Sequence, residues 1–216
     1  LKEGSADIQV ETLVEGEGTV AVELLDAEGN TVAKGEGEKA SLHLDAPHLW
    51  NGVKDPYLYT CVVRLLQDGK PVDEVTTKMG LRSFSVDAKK GFFLNGKPYP
   101  LHGVSRHQDR KGLGNAITRE MHDEDMALIR ELGANTVRLA HYQHDQYFYD
   151  LCDQYGMVVW AEIPYISEHL PNGRENTISQ MKELIHQNYN HPSIVCWGVS
   201  NEITISTKDK ADITGM

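Results

Sequence analysis

The sequence predicts an antiparallel β-sandwich followed by an α/β unit built on a parallel sheet. Three observations carry this reading. Up to about residue 86 the chain shows short β-type runs separated by glycine-rich turns, with no helical stretch. From about residue 99 strand-like runs alternate with amphipathic segments of helical spacing. Finally, 40% of the 216 residues are hydrophobic, enough to bury a core and to exclude wholesale disorder. The expected division is 1–85 for the sandwich and 86–216 for the α/β unit.

In the first part the strand candidates are 8–14, 19–25, 40–44, 57–66 and 72–78. Alternation is visible in Val20, Val22 and Leu24 and again in Leu42 and Leu44. The separators are Gly16-Glu17-Gly18, Glu28-Gly29-Asn30, Gly35-Glu36-Gly37 and Asp68-Gly69. A connecting stretch, 85–100, contains Asn95-Gly96-Lys97-Pro98, which reads as a hairpin turn.

In the second part the strand candidates are 101–105, 135–140, 157–162 and 194–200. A helix over 118–132 places Met121, Met126, Leu128, Ile129 and Leu132 on one side, and Gly133 closes it. Asp145 caps a second helix with Phe148, Leu151, Cys152 and Tyr155 on its apolar face, ended by Gly156. Thr177 and Gln180 fit a capping box ahead of Met181, Leu184, Ile185 and Tyr189. Four strands with helices between them imply a parallel sheet with right-handed crossovers.

Charge narrows the function classes. Twenty-one Lys and Arg stand against 32 Asp and Glu, a formal net charge of −11. An acidic chain without a basic block is not expected to bind nucleic acid or an anionic membrane. Cys61, Cys152 and Cys196 lie far apart in apolar runs, so buried thiols are expected rather than disulfides or a metal pair. The lone cysteines and the absence of a leader pattern at Leu1-Lys2-Glu3-Gly4 favour a bacterial cytoplasmic setting. A first residue other than Met hints at an excised piece.

The chemistry collects at strand ends. Arg106-His107-Gln108-Asp109 follows the first strand of the α/β unit, and Arg138-Leu139-Ala140-His141-Tyr142 closes the second. Glu162 ends the third and Asn201-Glu202 the fourth. In a βα-barrel such ends point into one shared mouth. Each has a bland alternative. Arg138 reads either as a site residue or as an arginine paired with Glu162 inside the barrel. His141 reads also as a hydrogen-bonded core histidine and His107 as an exposed loop residue. Glu162 fits a supporting carboxylate better than a catalytic one. A carboxylate at Glu202, ending an apolar run, is costly unless it has a task or a partner. No metal-binding spacing, phosphate loop or serine elbow is present. Carboxylate acid–base work on a neutral polar substrate is what remains.

Several motifs resemble family 2 glycoside hydrolases, and most nearly the bacterial β-galactosidases among them. They include Leu49-Trp50 through Asp55-Pro56-Tyr57-Leu58-Tyr59, Gly80-Leu81-Arg82-Ser83-Phe84, Phe93-Leu94-Asn95-Gly96-Lys97 and Leu101-His102-Gly103-Val104-Ser105-Arg106-His107. Further along come Asn135-Thr136-Val137-Arg138-Leu139-Ala140-His141-Tyr142, Tyr149-Asp150-Leu151-Cys152-Asp153, Asn190-His191-Pro192-Ser193-Ile194 and Trp197-Gly198-Val199-Ser200-Asn201-Glu202. The resemblance implies an immunoglobulin-like sandwich followed by the N-terminal half of a (β/α)8 TIM barrel, strands one to four. It implies Glu202 as general acid/base and Asn201 as a partner of the sugar 2-hydroxyl. His107 and His141 would line the sugar subsite, and Arg138 would support the catalytic carboxylates. The implied substrate is a β-galactoside, hydrolysed with retention. A retaining enzyme needs a second carboxylate about 5–5.5 Å away as nucleophile. In this superfamily it stands at the end of barrel strand seven, and no carboxylate of this chain fits that role.

The stretch from Glu162 to His169 departs from the magnesium-binding pattern of well-known relatives. Ile166 stands where a Glu is usual, with Glu168 and His169 out of register, so no metal and no cofactor are expected. The chain is accordingly expected to be an inactive fragment when alone, prone to self-association through open sheet edges. Two alternatives stand beside this reading: a β-glucuronidase of the same family, and a non-catalytic carbohydrate-binding or interaction module.

Overall fold

The computed structural model describes residues 1 and 4–207. It divides into two compact units, Leu1–Tyr99 and Pro100–Met216. Among the described residues no helix is long and apolar enough to cross a membrane.

In the first unit β1 (Ser5–Glu11) pairs antiparallel with β4 (Lys39–Asp45), Ala6 opposite Leu44. A second antiparallel sheet runs in the order β3-β2-β5-β6, from β2 (Thr19–Leu25), β3 (Thr31–Glu36), β5 (Tyr59–Gln67) and β6 (Lys70–Met79). Alternation sends Ala6, Val20, Val22, Leu24, Ala40, Leu42 and Leu44 into one shared core with Tyr59, Cys61 and Leu81. That is the expected sandwich. Strand β3 was not legible in the sequence. It is only half-buried, and Lys34 and Gly35 blur its pattern. Gly35 is needed there, because a β-carbon would come 2.9 Å from a methyl of Leu42.

A three-stranded sheet closes this unit: β7 (Phe84–Asp87), β8 (Gly91–Leu94) and β9 (Lys97–Pro98). The expected Asn95-Gly96 turn joins β8 to β9, with φ of +50° and +73° at the two residues. The Asn95 amide also donates to the backbone oxygen of Trp50, whose indole is fully buried.

The second unit carries four parallel strands in sequential order: β10 (Gly103–Arg106), β11 (Thr136–Leu139), β12 (Val158–Glu162) and β13 (Ile194–Gly198). Helices α1 (Arg119–Glu131), α2 (Gln146–Tyr155) and α3 (Arg174–Asn188) connect them. Val137, Leu139, Val159, Ala161 and Ile194 pack in one core with Met126, Ile129, Phe148, Leu151 and Leu184 from the helices. The register puts Arg138 beside Trp160 and Trp160 beside Cys196. Alternation puts Arg138 and Trp160 on the opposite face, and a register irregularity between Val159 and Trp160 brings Cys196 beside them.

Helix α2 begins and ends as expected. Asp145 accepts from the Tyr147 N–H at 2.9 Å, and Gly156 takes a left-handed φ of +74°. Two expectations about the other helices are corrected. Helix α3 starts at Arg174 after Gly173, so Thr177 lies inside it. The Thr177 hydroxyl bonds back to the Gly173 carbonyl at 2.9 Å instead of capping forward. In α1 the inward positions are His122, Met126 and Ile129, whereas Leu128 and Leu132 are exposed. A histidine holds a place that an apolar pattern does not reveal. Cys61 and Cys152 are buried and Cys196 half-buried, all three as free thiols.

Candidate active site

The polar side chains converge at the carboxyl ends of β11, β12 and β13. Arg138, the third residue of β11, extends a two-pronged contact to Glu162, the last residue of β12. Its Nε donates to one carboxylate oxygen and its Nη2 to the other, each at 3.0 Å. The Glu162 side chain is 1% exposed. A buried carboxylate needs such donors, because desolvation alone would disfavour its charge. His141 supplies a third donor, its Nδ1 lying 2.5 Å from Glu162 Oε1.

These contacts fix the His141 tautomer. A carboxylate accepts only, so Nδ1 carries the proton and the opposite nitrogen, Nε2, is an acceptor when the ring is neutral. The 3.3 Å approach of Arg138 Nη2 to the same Nδ1 is then a contact between two donors, not a hydrogen bond. Nη2 donates instead to Asn201 Oδ1 at 2.7 Å. With its oxygen engaged, the Asn201 amide keeps its Nδ2 donors for another partner.

Backbone pairing holds Asn201 in place. Its N–H donates to the Tyr165 carbonyl and its own carbonyl accepts from Ser167, at 2.8 and 2.9 Å. Three residues earlier, Gly198 allows β13 to lie tightly against β12. A β-carbon there would stand 2.4 Å from Trp160 Nε1 and 2.7 Å from Glu162 Cβ.

The rings of His107 and His141 meet edge to face with centroids 5.2 Å apart, and Tyr142 lies 6.0 Å from His107. The Tyr142 hydroxyl accepts from the Gln108 N–H at 3.0 Å, tying the loop after β10 to the loop after β11. The peptide between Ala140 and His141 is cis.

Glu202 is placed differently. It is exposed, and among the described residues its carboxylate has no hydrogen-bond or ionic partner. Its backbone lies in the left-handed region, φ +55°. That conformation is uncommon for a residue with a β-carbon. The structure thus gathers Arg138, Glu162, His141 and Asn201 into one bonded cluster with His107 against it, and among the described residues leaves the Glu202 carboxylate without a partner beside Asn201. The two readings of Arg138 merge, since it pairs with Glu162 and also reaches the strand-end cluster.

The sequence reading missed some neighbours. Trp160 sets its ring 5.8 Å from the Arg138 guanidinium carbon, and period-2 alternation from Glu162 would have placed it on this face. His169, read as an out-of-register metal candidate, is buried and bonded to the Tyr165 hydroxyl. A separate cluster of Asp150, Asp153 and His191 has ligand-like spacing. There Asp153 already takes His191 Nδ1 at 2.6 Å and the Ser193 N–H at 3.1 Å, which fastens α2 to the segment entering β13.

Comparison with known proteins agrees with this architecture. Residues 1–82 match the model of glycosyl hydrolases family 2, and residues 85–215 match the TIM barrel domain of that family. A β-glucuronidase of Bacteroides fragilis is 45% identical over 217 residues, covering 93% of this chain and 30% of the relative. A crystal structure described as an FMN-binding β-glucuronidase from Facaelibacterium prausnitzii L2-6 superposes with a TM-score of 0.92 at 43% identity. That match covers 97% of this chain and 34% of the other. The β-galactosidase BoGH2A of Bacteroides ovatus is 32% identical, over 90% of this chain and 25% of the relative. The chain thus spans about a third of the length of such relatives, and its parallel sheet is the first half of a TIM barrel. The chain belongs to glycosyl hydrolase family 2.

Proposed function

We propose that this chain is the sandwich and first half-barrel of a retaining β-glucuronidase, with Glu202 as its general acid/base. The observation that carries the reading is the bonded cluster of Arg138, Glu162, His141 and Asn201 at the carboxyl ends of successive parallel strands. A barrel enzyme keeps its chemistry there. The choice of sugar follows the relatives. The two β-glucuronidases stand at 45% and 43% identity, against 32% for BoGH2A and 39% for a structure described as a putative β-galactosidase of Bacteroides fragilis. That reverses the order taken from the motifs alone, which put galactosides first.

In the proposed reaction Glu202 gives its proton to the glycosidic oxygen, and a second carboxylate attacks the anomeric carbon. Glu202 then takes a proton from water, which releases the sugar. The resemblance puts the nucleophile at the end of barrel strand seven, whereas the described parallel sheet has four strands, and we assign that part to segments outside these 216 residues. Glu162 is the wrong group for it, being saturated by Arg138 and His141. Asn201 offers its amide N–H groups to a sugar hydroxyl, while His141 offers the lone pair of Nε2. Two carboxylates and a water suffice for this chemistry, without a cofactor.

Parallel assays with chromogenic β-glucuronide and β-galactoside, on a protein extended to the length of its relatives, test the reading. Glucuronide turnover is expected to dominate, and Glu202→Gln to cut it by about 10²- to 10⁴-fold. Dominant galactoside turnover would overturn the sugar assignment, and full activity in Glu202→Gln would overturn the role of that residue. The 216-residue chain alone is expected to show no turnover.

A further inference from the structure

Beside the cluster just described lies a second polar network, which sequence reasoning did not anticipate. At its centre is Arg106, the last residue of β10, with its side chain 5% exposed. Its Nε and Nη2 both donate to Asp125 Oδ2 on α1, at 3.0 and 2.7 Å. Nη2 also reaches His122 Nδ1 at 3.0 Å, and Nη1 reaches His144 Nδ1 at 2.9 Å. The guanidinium carbon sits 3.8 Å from the ring centre of Phe148 on α2. We infer that Arg106 and His144 are positioning residues that hold His141, and with it His107, in place for substrate.

An arginine only donates, so His144 Nδ1 must be bare, and its proton must sit on Nε2. That Nε2–H donates to the Ala140 carbonyl at 3.0 Å. The Ala140 N–H in turn donates to the Arg106 carbonyl at 3.0 Å. Ala140 is therefore held at both ends, from its amide by the β10 backbone and from its carbonyl by a ring that the Arg106 side chain orients. The next residue is His141. The path from a fixed Ala140 to the 2.5 Å contact of His141 with Glu162 spans a single residue. Arg106 also adjoins His107, whose ring rests on His141. One buried arginine thus sets the ends of two strands relative to each other.

The loops repeat the design. Gln108 accepts from the Asp145 N–H at 2.6 Å, and its own N–H donates to the Tyr142 hydroxyl. Burial holds His144 down to about 4, so the ring stays neutral and keeps this one tautomer at ordinary pH.

The inference rests on the sugar-facing role proposed for His107 and His141, and its test reads the positioning itself, whatever sugar the site takes. Nitrogen-15 NMR of the full 216-residue chain, labelled at histidine, should show His144 protonated at Nε2 and His141 protonated at Nδ1. A proton on His144 Nδ1 would overturn the inference. His144→Phe keeps a ring and loses both bonds, so the His141 Nδ1–H signal is expected to broaden or shift. His144→Gln keeps one acceptor and one donor and should restore it. An unchanged His141 signal in His144→Phe would overturn the inference. Should that variant not fold, His144→Gln alone decides: a retained His141 signal supports the bridge, and its loss overturns it.

Discussion

Two arginines stand near the carboxyl ends of neighbouring strands of the half-barrel, and they lead different lives. Arg138 on β11 is one-third exposed, grips Glu162 through Nε and Nη2 and donates from Nη2 to Asn201 as well. Arg106 on β10 is buried, and its donors go to Asp125, His122 and His144 behind the strand ends. Both are paired, as buried charges must be. The difference lies in where the spare hydrogen-bonding capacity points. Around Arg138 it points outward, through the Asn201 amide and His141 Nε2. Around Arg106 it is consumed internally, and the product is a fixed backbone. A working site and its support can therefore share one chemistry and differ only in exposure.

Removing each arginine's carboxylate partner sharpens this contrast, with the largest effect expected at the buried one. Asp125→Ala leaves the Arg106 charge desolvated and is expected to destabilise the α/β unit by about 3–5 kcal/mol. It also strips a contact from Arg110, which donates to the other oxygen of Asp125 at 2.8 Å. Glu162→Ala leaves Arg138 within reach of water, so a smaller loss of about 1–3 kcal/mol is expected. Urea unfolding followed by far-UV circular dichroism compares the two. A larger loss for Glu162→Ala would reverse the assignment of which arginine is structural. Hydrolysis in a full-length enzyme should rank the other way.

Acid attacks the support before it attacks the fold at large. His144 titrates near 6.5 when unfolded and is held down to about 4 in the native state, chiefly by burial and further by Arg106, His107 and His122 facing it. His122 is shifted in the same direction, again by burial first and by Arg106. A histidine that resists protonation only when folded stabilises the protein above its unfolded pKa. That stability drains away as pH falls towards the native pKa. For His144 the window is pH 6.5 to 4 and the loss about 3 kcal/mol. His144→Gln should flatten the stability profile across this window. An equally steep fall in the variant would assign the acid sensitivity elsewhere.

How much of this could be read beforehand depended on whether a residue's role is local. The alternation of Leu42 and Leu44, the Asn95-Gly96 turn and the Asp145 cap act within a few residues and were legible. Strand β3 was not, because an edge strand buried on part of one face keeps Lys34 and needs Gly35 for close packing. The strand-end cluster was legible as a set of residues, since polar side chains closing apolar runs stand out. Its wiring was not, because whether Arg138 serves Glu162 or substrate is decided by a register between strands. Arg106 was legible as a strand-end residue, but its partners His122 and His144 were not, for the same reason. They stand 16 and 38 residues apart from the arginine, and only the packing of α1 and the β11 loop brings them together.

Smaller effects separate the site from its scaffold at single positions. Gly198→Ala drives a methyl group toward Trp160 Nε1 and Glu162 Cβ, and a loss of about 1–3 kcal/mol is expected from the overpacking. Trp160 lies beside Arg138, so indole fluorescence should shift with the loss; an unmoved spectrum would mean that the strands part elsewhere.

The smallest expected change is also the one with the opposite sign. Glu202 holds φ at +55° with a side chain that, among the described residues, bonds to nothing. The left-handed conformation costs a residue with a β-carbon roughly 1–2 kcal/mol. Glycine removes that cost but loosens the unfolded chain by about 0.4–1 kcal/mol. Glu202→Gly should therefore gain about 0.5 kcal/mol of stability while abolishing hydrolysis in a full-length enzyme. Glu202→Gln keeps the strain and should leave stability unchanged. If Glu202→Gly instead loses stability, the carboxylate has a structural partner and resembles Asp125 more than a proton donor. If it gains, the residue is retained against the preference of the fold, which is the pattern of a group kept for chemistry.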